Sequence, residues 1–304
     1  MSNTDRYVLV TGCSTGIGYC LARGLSARGH QVIASCRADA DVERLSQEGI
    51  QTIRVDLADE RNVDEAVERV RELTGGNLYG LINNGAYGQP GAMIDISREV
   101  LREQFETNVF GTQQLTNSLL PMMLENRAGR VVQISSVLGF ICLRFRGPYN
   151  ASKYALEALT DTMRLEHRGS GVHFVLVEPG PIRSRFRENA LKKYLEHIAH
   201  RESMFRSTYV ELEKRMHSTE DARYTLPPEA VLKAVVHALE SPRPRIRYPV
   251  TFPTRVMAIL KRLLTDRGLD AFLDRQSEGV IPDDGGPAGT GPSGKSVPPD
   301  GGAA

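Results

Sequence analysis

The stretch YVLVTGCSTGIG, residues 7–18, joins a short apolar run to a turn that contains three glycines. The run 7–10 predicts a buried strand, and the apolar spacing of residues 17–29 predicts a helix directly after the turn. A glycine turn in this setting lets a phosphate approach the free N–H groups at the start of the helix. The stretch therefore predicts a dinucleotide site, formed by Gly12, Ser14, Thr15, Gly16, Ile17 and Gly18.

Strand and helix patterns alternate along the chain up to about residue 180. Such alternation predicts a parallel sheet covered by helices on both faces. The expected fold class is therefore α/β: a single doubly wound parallel sheet (Rossmann fold) in one domain, residues 1–275, with a C-terminal helical extension. The predicted strands are 7–10, 31–35, 51–55, 78–83, 130–135 and 172–179, and the predicted helices are 17–29, 61–73, 97–125 and 227–240, with one more beginning near Tyr149.

Two segments depart from this alternation. Residues 185–227 are polar, rich in charge and helical in tendency, and they follow the sixth strand. Because ligands bind at the carboxyl ends of parallel strands, an insertion at this point predicts a substrate lid; a solvated pair of helices is the alternative. Residues 276–304 are rich in glycine and proline, which predicts a disordered tail.

Residues 252–273 form an amphipathic, basic pattern near the end of the predicted domain. We expect this helix to cover an edge of the core or to meet a partner subunit, and a homo-oligomer is expected. A basic amphipathic helix can also lie on a membrane surface, so peripheral membrane contact is the alternative.

The bulk composition argues against several classes of partner. The 38 basic and 37 acidic residues give a formal net charge of +1, which offers no electrostatic basis for binding nucleic acid. The four cysteines have no zinc-like spacing and are interpreted as reduced thiols, and the run of His197, His200 and Glu202 is interpreted as a solvated helix rather than a metal site. No apolar run approaches the roughly 18 residues of a membrane span, and a strand begins too early for a signal peptide, so a soluble, cytoplasmic protein is expected.

The end of the second strand bears on the type of dinucleotide. Enzymes that bind NAD often place a carboxylate there to hold the two ribose hydroxyls. This chain has Cys36 followed by Arg37, and a guanidinium favours a 2′-phosphate. We therefore predict that NADP(H) is preferred over NAD(H), although Asp39 is close enough in sequence to leave NAD(H) as an alternative.

Tyr149 and Lys153, in GPYNASKYAL (147–156), lie four residues apart and therefore share one face of a helix. Ser136 follows the fifth strand, whose carboxyl end would face a bound nicotinamide. A tyrosine hydroxyl can donate a proton to the alkoxide that forms when hydride reduces a carbonyl. A free tyrosine has a pKa of about 10, so the nearby lysine cation, together with the positive charge of an oxidised nicotinamide, is expected to lower it. Ser136 is expected to hydrogen-bond the substrate oxygen. Ser135 is the alternative serine, with its side chain predicted on the opposite face.

With these three residues behind the turn TGCSTGIG, the sequence from about Tyr7 to Ser184 resembles the short-chain dehydrogenase/reductase family. The resemblance implies that Asn108 is a fourth catalytic residue, which shapes a helix and holds a proton-relaying water. It further implies a set of cofactor contacts beyond the glycine turn. These are Asp56, Leu57, Asn84, Gly85, Tyr149, Lys153, Pro179, Ile182 and Ser184. The family usually has NNAG where this chain has NNGA (83–86), so Ala86 replaces a glycine.

Within that family, the chain is similar to the branch of retinol dehydrogenases, 17-beta-hydroxysteroid dehydrogenases and bacterial aldehyde reductases. The similarity lies in VIASCR (32–37), SSVLGF (135–140), PYNASKYALEALTDTMRLE (148–166) and VEPGPIRSRF (177–186). It implies an apolar carbonyl or alcohol as substrate. The candidate substrate residues are Tyr87, Leu138, Phe140, Leu143, Phe145 and Phe186, and packing in the core is the alternative for each.

The sequence thus predicts an NADP(H)-dependent oxidoreductase that transfers hydride between nicotinamide and an apolar aldehyde or ketone, or the corresponding alcohol. Tyr149 is the expected acid and base, Lys153 its tuning cation, Ser136 the group that polarises the carbonyl, and Asn108 the support of the relay. An NAD-dependent alcohol or hydroxysteroid dehydrogenase is one alternative. A non-catalytic dinucleotide-binding sensor or scaffold is another, and the presence of Ser136 argues against it because mere binding does not require that hydroxyl.

Overall fold

A computed structural model describes residues 6–277 of the 304-residue chain. Its sheet contains seven parallel strands in the order β3-β2-β1-β4-β5-β6-β7. This order, which reverses direction after β3, is that of a doubly wound sheet and confirms the predicted fold class. The strands are β1 (Tyr7–Val10), β2 (Gln31–Cys36), β3 (Gln51–Arg54), β4 (Leu78–Asn83), β5 (Gly129–Ile134), β6 (Val172–Glu178) and β7 (Arg247–Pro249).

Helices cover both faces of the sheet. Alternate side chains of β1 point to opposite faces, so Val8 and Val10 pack in one apolar core and Leu9 in the other. The helices are α1 (Gly16–Ser26), α2 (Asp39–Gln47), α3 (Glu60–Thr74), α4 (Arg98–Phe105), α5 (Thr112–Glu125), α6 (Gly147–Glu166), α7 (Phe186–His197), α8 (Arg206–His217), α9 (Glu229–Glu240), α10 (Phe252–Leu263) and α11 (Asp266–Ser277). Helices α1, α2 and α9 bury their apolar faces against one side of the sheet, and α3, α5 and α6 against the other.

Local sequence signals fix where α3 begins and ends. The Asp59 carboxylate accepts hydrogen bonds from the N–H groups of Arg61 and Asn62, which satisfies two donors of the first turn. Gly75 ends the helix in the left-handed conformation, with φ +57°. The predicted helix 61–73 is therefore confirmed with one extra residue at each end.

The predicted helix 97–125 is interrupted where it passes the sheet. Residues 106–111 form a π-helical segment between α4 and α5. A Cβ on Gly111 would lie 1.7 Å from the main-chain oxygen of Leu57, so the segment approaches the loop after β3 more closely than any other residue type allows. The sequence pattern identified the helix but not its π-helical turn. Such a turn adds only one residue, which barely changes the spacing of the apolar residues.

The seventh strand was not predicted from the sequence. Strand β7 has only three residues and pairs with β6 along the register Leu176–Arg247 to Glu178–Pro249. Pro249 has no N–H group and therefore suits the edge of the sheet. A run of three residues that ends in proline carries too little pattern to be recognised as a strand.

Residues 185–227 form α7 and α8, which pack against each other around a small apolar cluster that includes Tyr194, Ile198 and Tyr209. The Tyr209 hydroxyl accepts a hydrogen bond from the N–H of Ala92 at 2.9 Å and joins the pair to the loop after β4. The pair also lines a large cavity beside the sheet, and its role as a substrate lid stays a prediction.

The amphipathic segment 252–273 is two helices rather than one, because Leu264 takes an extended conformation (ψ 147°) between α10 and α11. Met257 is buried, and Val256 and Leu260 pack beside it near Tyr149, so one face of α10 covers the core as predicted. Phe252, Ile259 and Leu263 remain exposed on the rest of α10. In residues 6–277 no helix is long and apolar enough to cross a bilayer. The predicted tail lies outside the described residues, apart from its first two positions at the end of α11.

Gly111→Ala should lower the free energy of unfolding by about 1–3 kcal/mol, because the new methyl group forces the π-helical segment away from Leu57. Thermal and urea unfolding measure the change. Gly268→Ala is the matched control, since a Cβ there has no neighbour closer than 3.4 Å and should leave stability unchanged or higher. Equal stability of Gly111→Ala and the natural chain would contradict the close approach.

Candidate active site

The glycine turn between β1 and α1 depends on three glycines for three different contacts. Gly12 and Gly16 have φ of +69° and +59°, which favours glycine. A Cβ on Gly18 would lie 2.1 Å from the main-chain oxygen of Gly12, and a Cβ on Gly16 would lie 2.9 Å from the Cβ of Ser184. No side chain caps the first N–H groups of α1. These groups face the cavity at residues 14–17 and form a cradle for an anion.

The segment NNGA holds the turn in place from the neighbouring strand. The Asn84 side-chain amide donates hydrogen bonds to the main-chain oxygens of Thr11 (2.9 Å) and Gly12 (3.1 Å). The Thr11 hydroxyl accepts from the N–H groups of both Asn84 and Gly85, each at 2.9 Å. Asn84 and Gly85 therefore line the cavity while their polar groups fix the glycine turn.

At the end of β2, Cys36 is buried and Arg37 is exposed. Within residues 6–277 the Arg37 guanidinium has no ion-pair partner, whereas Asp39 lies 3.7 Å from Arg54. Asp39 is thus turned toward a different arginine. The Asp56 carboxylate accepts a hydrogen bond from the N–H of Ala58 in the loop after β3.

A cavity of about 1700 Å³ runs from the glycine turn past Tyr149 to the lid helices. It brings together most of the predicted site residues. These are Gly12, Ser14, Thr15, Gly16, Ile17, Asn84, Gly85, Ser136, Leu138, Leu143, Phe145, Tyr149, Lys153, Pro179, Ile182, Ser184 and Phe186. The predicted residues that do not line it are Gly18, Arg37, Asp56, Leu57, Tyr87, Asn108 and Phe140.

Tyr149 and Lys153 lie on the first turns of α6 and are both buried. The Lys153 Nζ donates a 2.8 Å hydrogen bond to the main-chain oxygen of Ile134 at the end of β5 and lies 5.7 Å from the centre of the Tyr149 ring. The Ser136 hydroxyl faces the Tyr149 hydroxyl and lowers the pKa of that phenol, and it also accepts the N–H of Leu138. The three predicted residues thus converge on one wall of the cavity.

The pKa of Tyr149 is raised rather than lowered in the chain alone. Burial raises the pKa of Tyr149 to about 12, and this outweighs the lowering by Ser136 and by the Arg146 guanidinium. In the chain alone, removal of water destabilises the phenolate more than these neighbours stabilise it. The predicted lowering by Lys153 together with an oxidised nicotinamide stays a prediction. At neutral pH the phenol is protonated and can donate a proton.

Burial has the opposite effect on the neighbouring lysine. It lowers the pKa of Lys153 to about 8, and only the Glu157 carboxylate, one turn along α6, raises it. Glu157 belongs to a cluster that sequence reasoning missed. Arg247 of β7 lies 3.2 Å from Glu157 and 3.2 Å from Glu178, and burial raises the pKa of Glu178 to about 7. The i, i+4 spacing of Lys153 and Glu157 was the one sequence signal for this cluster.

The two serines after β5 point in opposite directions, as predicted. Ser136 faces Tyr149, whereas the Ser135 hydroxyl lies near Glu157 and lowers the pKa of that carboxyl against the effect of burial. Ser135 therefore belongs to the carboxylate cluster behind Lys153. Both serines line the cavity, and Ser136 is the one whose hydroxyl meets the Tyr149 phenol.

Asn108 lies in the π-helical segment and is buried. Its side-chain amide donates to the main-chain oxygen of Tyr87 (2.9 Å) and to the Ser152 hydroxyl (3.0 Å), and its oxygen accepts from the N–H of Tyr87. Ser152 in turn donates to the main-chain oxygen of Tyr149. Asn108 thus braces the start of α6 through Ser152, a residue that the sequence analysis did not single out.

The six candidate substrate residues separate into two groups. Leu138, Leu143, Phe145 and Phe186 line the cavity, and the Phe186 ring lies 5.2 Å from the Tyr149 ring. Tyr87 packs beneath the lid near Lys193, and Phe140 packs beside α10. Tyr87 and Phe140 are therefore better described as packing residues of the core than as substrate contacts.

Cys142 lines the cavity, whereas Glu103, Glu196 and His197 lie outside it. All four cysteines are free. Within residues 6–277, ligand atoms of Glu103, Glu196 and His197 approach one another within 4.8 Å. The Lys193 ammonium lies 2.9 Å from Glu196 and 3.4 Å from Glu103, so a lysine already supplies positive charge there.

Comparison with protein families gives a match to the short chain dehydrogenase family over residues 6–195. The chain is 43% identical to the uncharacterized oxidoreductase YbbO of Escherichia coli K12 over 269 residues, which cover 88% of this chain and 94% of that protein. It is 33% identical to 17-beta-hydroxysteroid dehydrogenase type 6 of Rattus norvegicus, with 88% of each chain covered. It is 32% identical to the NADPH-dependent 3-dehydrocapnine reductase of Ornithobacterium rhinotracheale, over 87% of this chain and 95% of that one.

A solved structure shares the fold over nearly the whole chain. The crystal structure of a short-chain dehydrogenase from Streptomyces avermitilis superposes with a TM-score of 0.70 at 26% identity. The match covers 92% of this chain and 99% of that one. The similarity therefore extends past residue 195 into the lid and the C-terminal helices.

Lys153→Met should raise the free energy of unfolding at pH 7 by up to about 3 kcal/mol, because the folded chain holds the lysine pKa near 8, well below its unfolded value. In the natural chain this loss of stability is present in full below pH 8 and disappears as the pH rises toward about 10.5. The two chains should therefore converge in stability over that range in urea unfolding.

Lys233→Met, on the exposed face of α9, is the control and should show no such convergence. A Lys153→Met protein that is less stable than the natural chain at pH 7, and equally so at pH 10, would contradict the burial of an ammonium at this site.

Proposed function

The chain belongs to the short-chain dehydrogenase family, and from this membership we propose that it is an NADP(H)-dependent oxidoreductase that interconverts an apolar aldehyde or ketone and the corresponding alcohol. The observation that carries the proposal is the convergence of Ser136, Tyr149 and Lys153 on a cavity that continues to the glycine turn. A cytoplasmic location and a homo-oligomeric state are part of the proposal as predictions.

The residues present fit a nicotinamide dinucleotide. The uncapped N-terminus of α1 and the close contacts of Gly12 and Gly16 form a cradle that suits a pyrophosphate. Lys153, Pro179, Ile182 and Ser184 lie farther along the same wall, where they would hold the ribose and the nicotinamide. When bound, the reduced dinucleotide supplies the hydride.

Tyr149 and Ser136 act on the substrate oxygen in this proposal. Ser136 donates a hydrogen bond to the carbonyl and so stabilises the negative charge that develops on its oxygen. Tyr149 then gives its phenolic proton to that oxygen, which completes the alcohol. Because burial raises the pKa of Tyr149 to about 12, the phenol of the chain alone is protonated at neutral pH, the form that donates a proton in reduction.

After each turnover the Tyr149 phenolate must regain a proton from the groups beside it. Lys153, with its pKa near 8, can exchange a proton close to neutral pH. In the alcohol-oxidising direction, Tyr149 must first lose its proton. The rate of that direction is therefore expected to rise with pH over a wider range than the rate of reduction.

The preference for NADP(H) is supported at the end of β2. Cys36 offers no carboxylate to hold ribose hydroxyls, Arg37 is exposed beside it, and Asp39 is turned toward Arg54. The name of the reductase from Ornithobacterium rhinotracheale specifies NADPH, which supports the same choice.

The apolar substrate class is supported by the side chains that surround Tyr149. Leu138, Leu143, Phe145 and Phe186 line the cavity there and would exclude water from the reacting carbon. The relative from Rattus norvegicus is named for a hydroxysteroid, which also has an apolar body.

Tyr149→Phe should lower kcat for NADPH-dependent reduction of medium-chain aldehydes, ketosteroids or retinal by about 100- to 10,000-fold, because the general acid is lost. The dissociation constant for NADPH, measured by fluorescence, should change little. Tyr19→Phe is the control, since its hydroxyl bonds Glu48 on the surface.

The same panel separates the rival functions. Oxidation of an alcohol or hydroxysteroid with NAD+, but not with NADP+, would favour the NAD-dependent alternative. Tight NADPH binding without turnover of any compound would favour the sensor. Full activity of Tyr149→Phe would remove the assigned role of the phenol.

Arg37→Ala should raise the KM for NADPH by about 10- to 100-fold and leave the KM for NADH nearly unchanged, because only NADPH carries the 2′-phosphate that the guanidinium would bind. Steady-state kinetics with both cofactors measure the two values. Arg69→Ala, an exposed arginine on α3, is the control. An equal effect on both cofactors, or on neither, would defeat the assignment.

A further inference from the structure

Three arginines face the catalytic cavity from three different elements. Arg146 directly precedes α6 and lies three residues before Tyr149, Arg187 lies on the first turn of α7, and Arg215 lies near the end of α8. All three line the same cavity as Tyr149. We call them the arginine triad. The hydride transfer and proton transfer described above use none of them.

Within residues 6–277, no carboxylate forms an ion pair with a member of the arginine triad. Arg187 donates to the main-chain oxygens of Ser218 (2.9 Å) and Glu220 (2.8 Å), which carry no net charge. The other three arginines of the cavity wall are already paired. Their partners are Asp274 for Arg144 at 2.9 Å, Asp221 for Arg183 at 2.7 Å and Glu188 for Arg185 at 3.8 Å.

The guanidinium groups of the triad also lie close enough together for their charges to interact. Burial lowers the pKa of Arg146, and the charges of Arg215 and Arg187 lower it further. Arg187 likewise lowers the pKa of Arg215. Arg146 and Arg187 are half-buried and Arg215 is exposed, so the guanidinium groups line the cavity wall within reach of a bound ligand. Like charges held close together destabilise a fold unless an anion lies between them. The arrangement therefore has the character of an anion site that the chain itself does not fill.

Resting on the proposed function, we propose that the natural substrate is an amphipathic carbonyl compound that also bears an oxyanion, a carboxylate or a group of similar charge, which the arginine triad binds. The apolar body lies against Leu138, Leu143 and Phe186. Arginine suits this role because its planar guanidinium binds oxyanions through two parallel hydrogen bonds. The triad thus determines specificity, whereas the chemistry stays with Ser136 and Tyr149.

The position of Arg146 places the anion on the Tyr149 side of the cavity. Its guanidinium is near enough to the phenol to lower the phenol's pKa. The start of α1 offers the cofactor's pyrophosphate a cradle of its own, built from main-chain N–H groups rather than from the arginine triad. The oxyanion bound by the triad therefore belongs to the substrate, a few bonds from its carbonyl.

The test compares 2-, 4- and 6-oxooctanoate with their methyl esters, and with octanal, in NADPH-dependent reduction. The natural chain should show a kcat/KM for at least one acid that exceeds that of its ester by about 10- to 100-fold, because a charged hydrogen-bond pair is lost in the ester. Arg215→Gln and Arg146→Gln should bring that ratio close to one. Arg215→Lys should retain part of it, since the charge remains.

Lys214→Gln is the matched control. It removes one positive charge from the same helix, next to Arg215, but its ammonium pairs with Glu211 and lies outside the cavity wall. It should keep the ratio of the natural chain. The dissociation constant for NADPH should be the same in every variant, and thermal unfolding checks that each is folded.

Two results would overturn the inference. One is turnover of octanal and the esters with no acid preferred; the other is a preference for the acid that survives both Gln variants. Weaker NADPH binding in the variants, with an unchanged ratio, would instead assign the triad to the cofactor.

If no carbonyl compound turns over, the proposed function fails on its own, and calorimetry still tests the triad. Octanoate should bind the NADPH complex of the natural chain and bind Arg215→Gln at least about tenfold more weakly. Equal binding of octanoate to both proteins, or to neither, would overturn the inference.

Discussion

The buried ammonium of Lys153 is the constraint on which the rest of the site depends. One main-chain oxygen, from the last residue of β5, accepts its hydrogen bond, and one carboxylate, Glu157, partly offsets the loss of water. Such a group stays in place only if strand and helix are fixed against each other. The sheet supplies that rigidity, because β5 lies between β4 and β6 and its residues are buried on both faces. The phenol beside it is held in the same dry environment, so both groups are far from their ordinary pKa values.

Much of the fold and the reacting wall could be predicted from the sequence because the signals are local. Six of the seven strands are apolar runs with turns on either side, and Tyr149 and Lys153 share a helix face by spacing alone. Ser136 could be chosen over Ser135 because residues alternate along a strand. The glycine turn was recognised from its neighbours, a strand before it and a helix after it.

What could not be predicted depends on contacts between distant segments. The cluster of Glu157, Glu178 and Arg247 forms only after β7 pairs with β6, and β7 is too short to show a pattern. The arginine triad is brought together by three elements whose relative placement no spacing encodes. The raised pKa of Tyr149 in the chain alone could not be predicted because burial, a property of the folded chain, outweighs the effect of the neighbouring groups.

Strand β7 also limits how copies of this chain can associate. It offers three residues at the end of the sheet, and the last of them, Pro249, has no hydrogen to donate. A foreign strand laid alongside would gain too few main-chain bonds to stay. The short strand and its proline therefore disfavour side-by-side growth of the sheet into fibrils at this border.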